Sequence, residues 1–450
     1  MKRTALLLLA ASSVFFGTLG SAARRPRYGG ALHVAVRTAP TSLNPSQPGW
    51  VENRNLFGLM FDTLAVLDEQ GRPRPWLATS WQEESGAQRW VFVMRHNVAF
   101  QDGTPLTAEA VAASLRGANP AWKVFSSGDS VMIEVDSPSP NLTAELALAR
   151  NSIVKQAGDK FVGTGPFAVS RWEPRKSLVV TAREDYWAGR PFLDAIEIDL
   201  GRNLQDQTVS FDLGKTQLID VATEQARRAA NDGRKIEMSP PDELIALIFS
   251  TEPSTPAEKK LRDAFSLSID RKTLNSVVLQ DGGQGATGLL PQWLSGYEYL
   301  FSVESGLTRA QQERAEVPQA GVWRLGYDSN DPIQHLIADR IVLNARDAGL
   351  RVQLANSSGA EARLVRMKLA SLSPQIALGQ MAATLGLKPP RLESDSVEEL
   401  YAAERTLLQS GRVIPLLHLR TAYAVSNNVR GVAASDGSWR LNDAWLAEKP

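Results

Sequence analysis

The stretch FDTLAVLDEQGRPRPWLATSWQEESGAQRWVFVMRHNVAFQDGTPLTAEAV, residues 61–111, decides the fold. It reads as a helix end, a turn, two tryptophan-bearing strands, a tight Asp-Gly turn and a capped helix. Trp90, Phe92 and Met94 alternate as one face of a strand, and Val98 and Phe100 continue the pattern. Gly103 after Asp102 tolerates a positive φ. Thr107 is placed to cap a helix expected over 108–115. No catalytic constellation lies inside this stretch, which suggests a binding scaffold.

Upstream, Lys2 and Arg3 precede an apolar run over 5–16, and small residues follow at Gly17, Gly20, Ser21, Ala22 and Ala23. Basic start, short apolar core and small-residue exit predict a signal peptide over 1–23, cleaved after Ala23. The run is too short for a permanent span. With no cysteine in the chain, a lipid anchor on a terminal cysteine, disulfides and thiolate metal sites are all excluded. The expected address is periplasmic, with a soluble, monomeric mature protein. Losing Lys2 and Arg3 leaves 47 basic against 49 acidic side chains, a net −2. That balance argues against nucleic acid as a partner.

Downstream, residues 31–38 and 195–200 alternate as strands and 53–64 has helical spacing, with Leu56, Leu59, Met60 and Leu64 on one face. The character changes near Pro240-Pro241. Residues 244–249 read as an apolar strand and 256–278 as mostly helical. A strand at 323–327, a helix at 333–348 ended by Gly349 and a strand at 350–354 suggest a parallel α/β lobe. A helix at 398–408 and an apolar strand at 413–419 follow. A length of 450 residues suggests more than one lobe.

Other motifs read as structural. GQGATG at 283–288 matches G-x-G-x-x-G, but a helical segment precedes it and Pro291 follows. A dinucleotide site needs a strand before and a helix after, so these glycines are expected to end a helix and free a loop. Gly214-Lys215-Thr216 lacks the leading glycine of a P-loop, because position 209 is Val209. The four histidines, His33, His96, His335 and His418, have no metal-ligand spacing, and no G-x-S-x-G exists. Trp76, Trp81 and Trp90 read as core. Trp50, in a polar loop after the first strand, reads as a contact residue.

Several blocks resemble the family 5 extracellular solute-binding proteins, the peptide-, dipeptide- and nickel-binding receptors of ABC importers. They are FDTL at 61–64, LATSW at 77–81, WVF at 90–92 running on to FQDGTPLTA at 100–108, GTGPF at 163–167, YWAGRPFLD at 186–194 and LRDAFSLSIDR at 261–271. The resemblance implies a two-lobed α/β periplasmic-binding-protein fold of type II character, with mixed sheets, flanking helices and the ligand between lobes. Lobe I would take 24–240, lobe II 241–410, and residues 411–450 would return to lobe I. The strands at 244–249 and 413–419 would cross the hinge. The partners implied are a small or peptide-like ligand and ABC permease subunits, with no cofactor and no metal. Site residues implied or read are Trp50, Asn151 before the GTGPF block, Met381 where relatives carry an aromatic, and His418 near the return crossing.

The chain also departs from the family. Gln101 replaces the usual histidine before Asp102, and the segment after Val111 is short. Peptide receptors carry W-x-x-D-Y-x-D-P in the second lobe, where this chain has LGQMAAT at 378–384. A buried ammonium without its carboxylate would be costly, so ordinary peptide recognition is expected to be lost or rebuilt. The alternatives are a ligand sensor on the same fold and a secreted hydrolase using two carboxylates.

Overall fold

The computed structural model describes residues 25–301, 306–318, 321–355, 359–394, 396–432 and 437–447. The expected signal peptide lies outside them. Among the described residues no helix is long and apolar enough to cross a membrane.

The 61–111 stretch folds largely as its pattern dictates. Ala78–Glu84 and Arg89–Met94 pair antiparallel, and Ser130–Glu134 and Lys123–Ser127 complete a four-stranded sheet. Thr107 Oγ1 accepts the Ala110 N–H at 3.2 Å and caps Ala108–Ala118. Trp90 is buried in the core of this sheet and Trp81 packs against it.

Asp62 ties the sequence blocks together. Its Oδ1 accepts from the Trp76 indole at 2.8 Å and the Tyr186 hydroxyl at 3.0 Å. Its Oδ2 accepts from the Thr164 hydroxyl at 2.9 Å and the Trp187 indole at 3.2 Å. A buried carboxylate needs such donors, because each unmet lone pair is a desolvation cost. Gln101 takes the histidine's place by donating to the Met60 and Phe167 carbonyls, both at 2.7 Å, while its Oε1 accepts from the Gly163 N–H. Gly163 and Gly165 pass so close to Met60 that a Cβ would lie 2.3 Å and 2.4 Å from its backbone atoms. Only glycine fits there.

The larger sheet has eleven strands and joins both halves of the molecule. On one side Ala31–Ala35 lies parallel between Ala195–Asp199 and Leu218–Val221. On the other, Val322–Gly326 lies parallel to Arg351–Ala355 and to Ala362–Lys368. The connecting helix Pro332–Asp347 makes the expected strand–helix–strand unit. Two long antiparallel strands, Lys235–Phe249 and Val413–Val425, run through the middle as a ribbon. Both are longer than their apolar stretches suggest. The pairing register shifts on both sides of Pro241; Pro has no N–H to donate, so the ladder breaks at that point. Residues 413–419 contribute to cores built with 244–407, whereas Tyr423 and Val425 pack with Leu32, Leu56 and Ile198.

One expectation holds in pieces and one changes. The stretch expected to be mostly helical over 256–278 is so, as Pro256–Ser268, Arg271–Thr273 and a wide π-helical turn at Leu274–Val278, broken only at 269–270. Gly283–Gly285 is a short strand on Val413–Val425 rather than a free loop. A Cβ on Gly283 would lie 2.8 Å from the His418 carbonyl, so a side chain would block this pairing.

Candidate functional site

The ribbon is the floor of two cavities. Its irregular stretch places Asp242 and Glu243 in succession, and adjacent strand residues point to opposite faces. Glu243 lines one cavity, of about 700 Å³, and Asp242 the other, of about 450 Å³. Asn55 and Trp439 line both.

The larger cavity is charged. From the first half it takes Asp220, at the end of Leu218–Val221, Glu224, in the turn that follows, Glu52 and the cation Arg37, while Arg420 lines it from the ribbon. From the second half come Glu243, Arg366, Lys368 and Asp331. Arg366 Nε lies 2.6 Å and Lys368 Nζ 3.4 Å from Glu243, and Arg366 Nη1 lies 3.4 Å from Asp331. Burial alone would raise the Glu243 carboxyl, but these two cations outweigh it and hold it at about 2. Asp331 Oδ1 accepts the Ile333 N–H at 3.0 Å and so caps the helix whose N-terminus faces the cavity. Asp220 is enclosed by protein on most sides yet keeps part of its surface open to the cavity. It accepts the Arg37 N–H at 2.7 Å, and burial pushes its carboxyl up. Burial likewise raises Glu224.

The smaller cavity is aromatic, with Trp50, Trp76, Trp293 and Trp439 in its walls. The Trp293 indole donates to the Pro241 carbonyl at 2.8 Å. Arg54 crosses between the halves here, donating to the Leu369 carbonyl at 2.5 Å and lying 3.6 Å from Asp242. Asp242 also accepts from Ser239, and from the N–H and hydroxyl of Thr421 at 2.9 Å each.

Of the residues expected from sequence, Trp50 lines the smaller cavity, with the Arg150 guanidinium 5.4 Å from its ring centre. Asn151 is buried, and its amide donates to the Glu145 carbonyl at 2.6 Å. Met381 is packed among Ala377, Leu378 and Ala382 in a core of the second half. His418 is buried on the ribbon, its Nε2 3.3 Å from Glu298 Oε1. These last three line neither cavity. Trp76, expected in the core, is half-buried and reaches the smaller cavity as well. The charged residues of the larger cavity escaped sequence reading. The one local signal is a pair of carboxylates, Asp242 and Glu243, set between Pro240-Pro241 and the apolar run 244–249. No group of three His, Asp or Glu among the described residues is arranged to hold a metal ion.

The family model for bacterial extracellular solute-binding proteins, family 5, matches residues 72–383. The Escherichia coli nickel-binding periplasmic protein is 23% identical over 271 residues, 52% of this chain and 51% of its own. The chain thus spans about half the length of that curated relative. Among solved structures, Helicobacter pylori DppA in complex with the peptide STSA superposes with a TM-score of 0.78 at 16% identity, covering 94% of this chain and 99% of that one. Staphylococcus aureus NikA with Ni(L-His)2 gives 0.74 at 16% identity, covering 90% and 97%. At such identities the likeness establishes the two-lobed fold.

Proposed function

Because the chain belongs to the bacterial extracellular solute-binding proteins of family 5, we propose that it captures a small solute, peptide-like or other, between two lobes and delivers it to the membrane subunits of an ABC importer. No bond is broken in this action. The observation that carries the reading is the cavity of about 700 Å³ walled by both halves and floored by the ribbon that joins them. Its size suits a small-molecule ligand, and a two-strand floor is the natural axis for hinge closure. The reading includes export to the periplasm, as the relatives' names support, and contact between Trp50 and the ligand.

The lobe division follows the cores. In this reading the chain leaves lobe I near Pro240 and returns near Arg420, supported by the packing of residues 413–419 with the second half and of Tyr423 and Val425 with the first. Native mass spectrometry of the protein isolated from its own periplasm tests the reading. A bound small molecule is expected, whose removal by unfolding and refolding enlarges the radius of gyration. A protein that carries nothing, and whose scattering does not respond to periplasmic extract, overturns it.

A further inference from the structure

The two cavities adjoin at Asn55 and Trp439 and differ in emphasis, the larger gathering most of the charged side chains and the smaller four tryptophans. We infer that the solute is a cationic amine joined to an aromatic or bulky apolar group, with its cation facing Asp220 and Glu224 and its apolar body among the tryptophans. This rests on the receptor reading and deepens it.

In the charged cavity the second-lobe groups already satisfy one another. Arg366 and Lys368 are committed to Glu243, and Arg366 to Asp331 as well. The helix N-terminus that would otherwise favour an anion is occupied by the Asp331 carboxylate. On the first-lobe side no ion pair with any described residue holds Asp220 or Glu224. Lys368 acts on Asp220, Arg366 on Glu224 and Arg37 on both only as more distant charges. Closing two lobes over uncompensated carboxylates is unfavourable. A ligand ammonium or guanidinium between them removes that cost, and a ligand carboxylate adds to it.

The aromatic cavity selects differently. Trp76 gives its N–H to Asp62 and Trp293 gives its own to Pro241. Their rings therefore meet a ligand with carbon surface alone, which favours an apolar or aromatic body. Arg54 contributes no free charge, being tied to Leu369 and Asp242.

Four probes separate charge from ring: L-phenylalaninamide, a cation with a ring; N-acetyl-L-phenylalanine, an anion with the same ring; glycinamide, a cation without one; and zwitterionic L-phenylalanine. Titration calorimetry on the mature chain, stripped of bound solute, is expected to show L-phenylalaninamide binding at least tenfold more tightly than the other three. Asp220→Asn with Glu224→Gln is expected to remove at least tenfold of that affinity with an unchanged circular dichroism spectrum. Equal or tighter binding of N-acetyl-L-phenylalanine, no heat from L-phenylalaninamide at millimolar concentration, or full affinity in the double variant overturns the inference. A co-purified anionic solute would also overturn it while leaving the receptor reading intact.

Discussion

Asp62 and Glu404 are both buried carboxylates that organise their half of the molecule, and they are supported unequally. Asp62 receives four side-chain donors, two on each oxygen, from residues 76, 164, 186 and 187. Glu404, on helix Val397–Gln409, receives the Leu289 and Leu290 N–H groups on Oε1 and the Tyr297 hydroxyl on Oε2. Burial pushes the Glu404 carboxyl up to about 7, and neighbouring Glu298 adds to the shift. The lesson is one of number and reach: the first hub gathers four side-chain donors from distant segments, while the second clamps one loop through three donors and carries a carboxyl pushed up to about 7.

Removing the first hub has the largest expected effect. Asp62→Ala leaves two indole N–H groups and two hydroxyls without their buried acceptor, and a single orphaned group costs about 1–3 kcal/mol. A loss of about 4 kcal/mol in urea denaturation is expected, since partial relaxation keeps the sum from being additive. A loss under about 1 kcal/mol would show that water or neighbours re-satisfy the donors and that the hub is dispensable.

The second hub should respond to pH with a definite sign. Its folded-state value of about 7 exceeds the ordinary 4.5, so the folded state holds the proton more tightly. Stability from this group is full below about 4.5, falls as pH rises towards 7 and is absent above it, a swing of at most ~3 kcal/mol. Glu404→Gln keeps an acceptor for the Leu289 and Leu290 N–H groups and never ionises. The variant should match the native chain at pH 5 and exceed it by ~2 kcal/mol at pH 8. Thermal denaturation across that range checks this; a difference that does not vary with pH refutes the assignment.

The same contrast explains what was legible in the sequence. FDTL, LATSW, GTGPF and YWAGRP are continuous blocks, so their resemblance gave the fold and the lobe that holds them. The convergence on Asp62 of Trp76, just before LATSW, Thr164, Tyr186 and Trp187 needs tertiary contacts across 14 to 125 residues and was not visible. The cleft was harder still. Asp220, Glu224, Arg366 and Lys368 each look like ordinary surface charges in their local context. Only the ribbon, with its register shift at Pro241, gathers residues from both halves around one space. Met381 and His418 misled for the converse reason. An apolar residue in a helix and a histidine in an apolar strand are equally compatible with a cleft or a core, and here the helix and strand turn them inward. Asn151 looked available, but the backbone turn before it already supplies its acceptor.

The smallest effect on stability, and the most direct test of how the halves meet, lies at the Asp68–Gly71 turn. Gly71 has φ +74°, and a Cβ there would stand 2.3 Å from the Leu372 carbonyl across the cleft. Gly86 has φ +62°, also on a first-lobe turn, with nothing within 4 Å of its Cβ position. Alanine at either site costs about 1 kcal/mol of backbone strain, so the two variants should lose similar stability. Only Gly71→Ala adds a wedge between the lobes, which the Arg150–Gln380 hydrogen bond of 3.0 Å also links. Small-angle scattering of the protein as isolated should show a larger radius of gyration for Gly71→Ala and an unchanged one for Gly86→Ala. If both variants scatter like the native chain, the turn yields without opening the lobes, and the contact with Leu372 does not limit their approach.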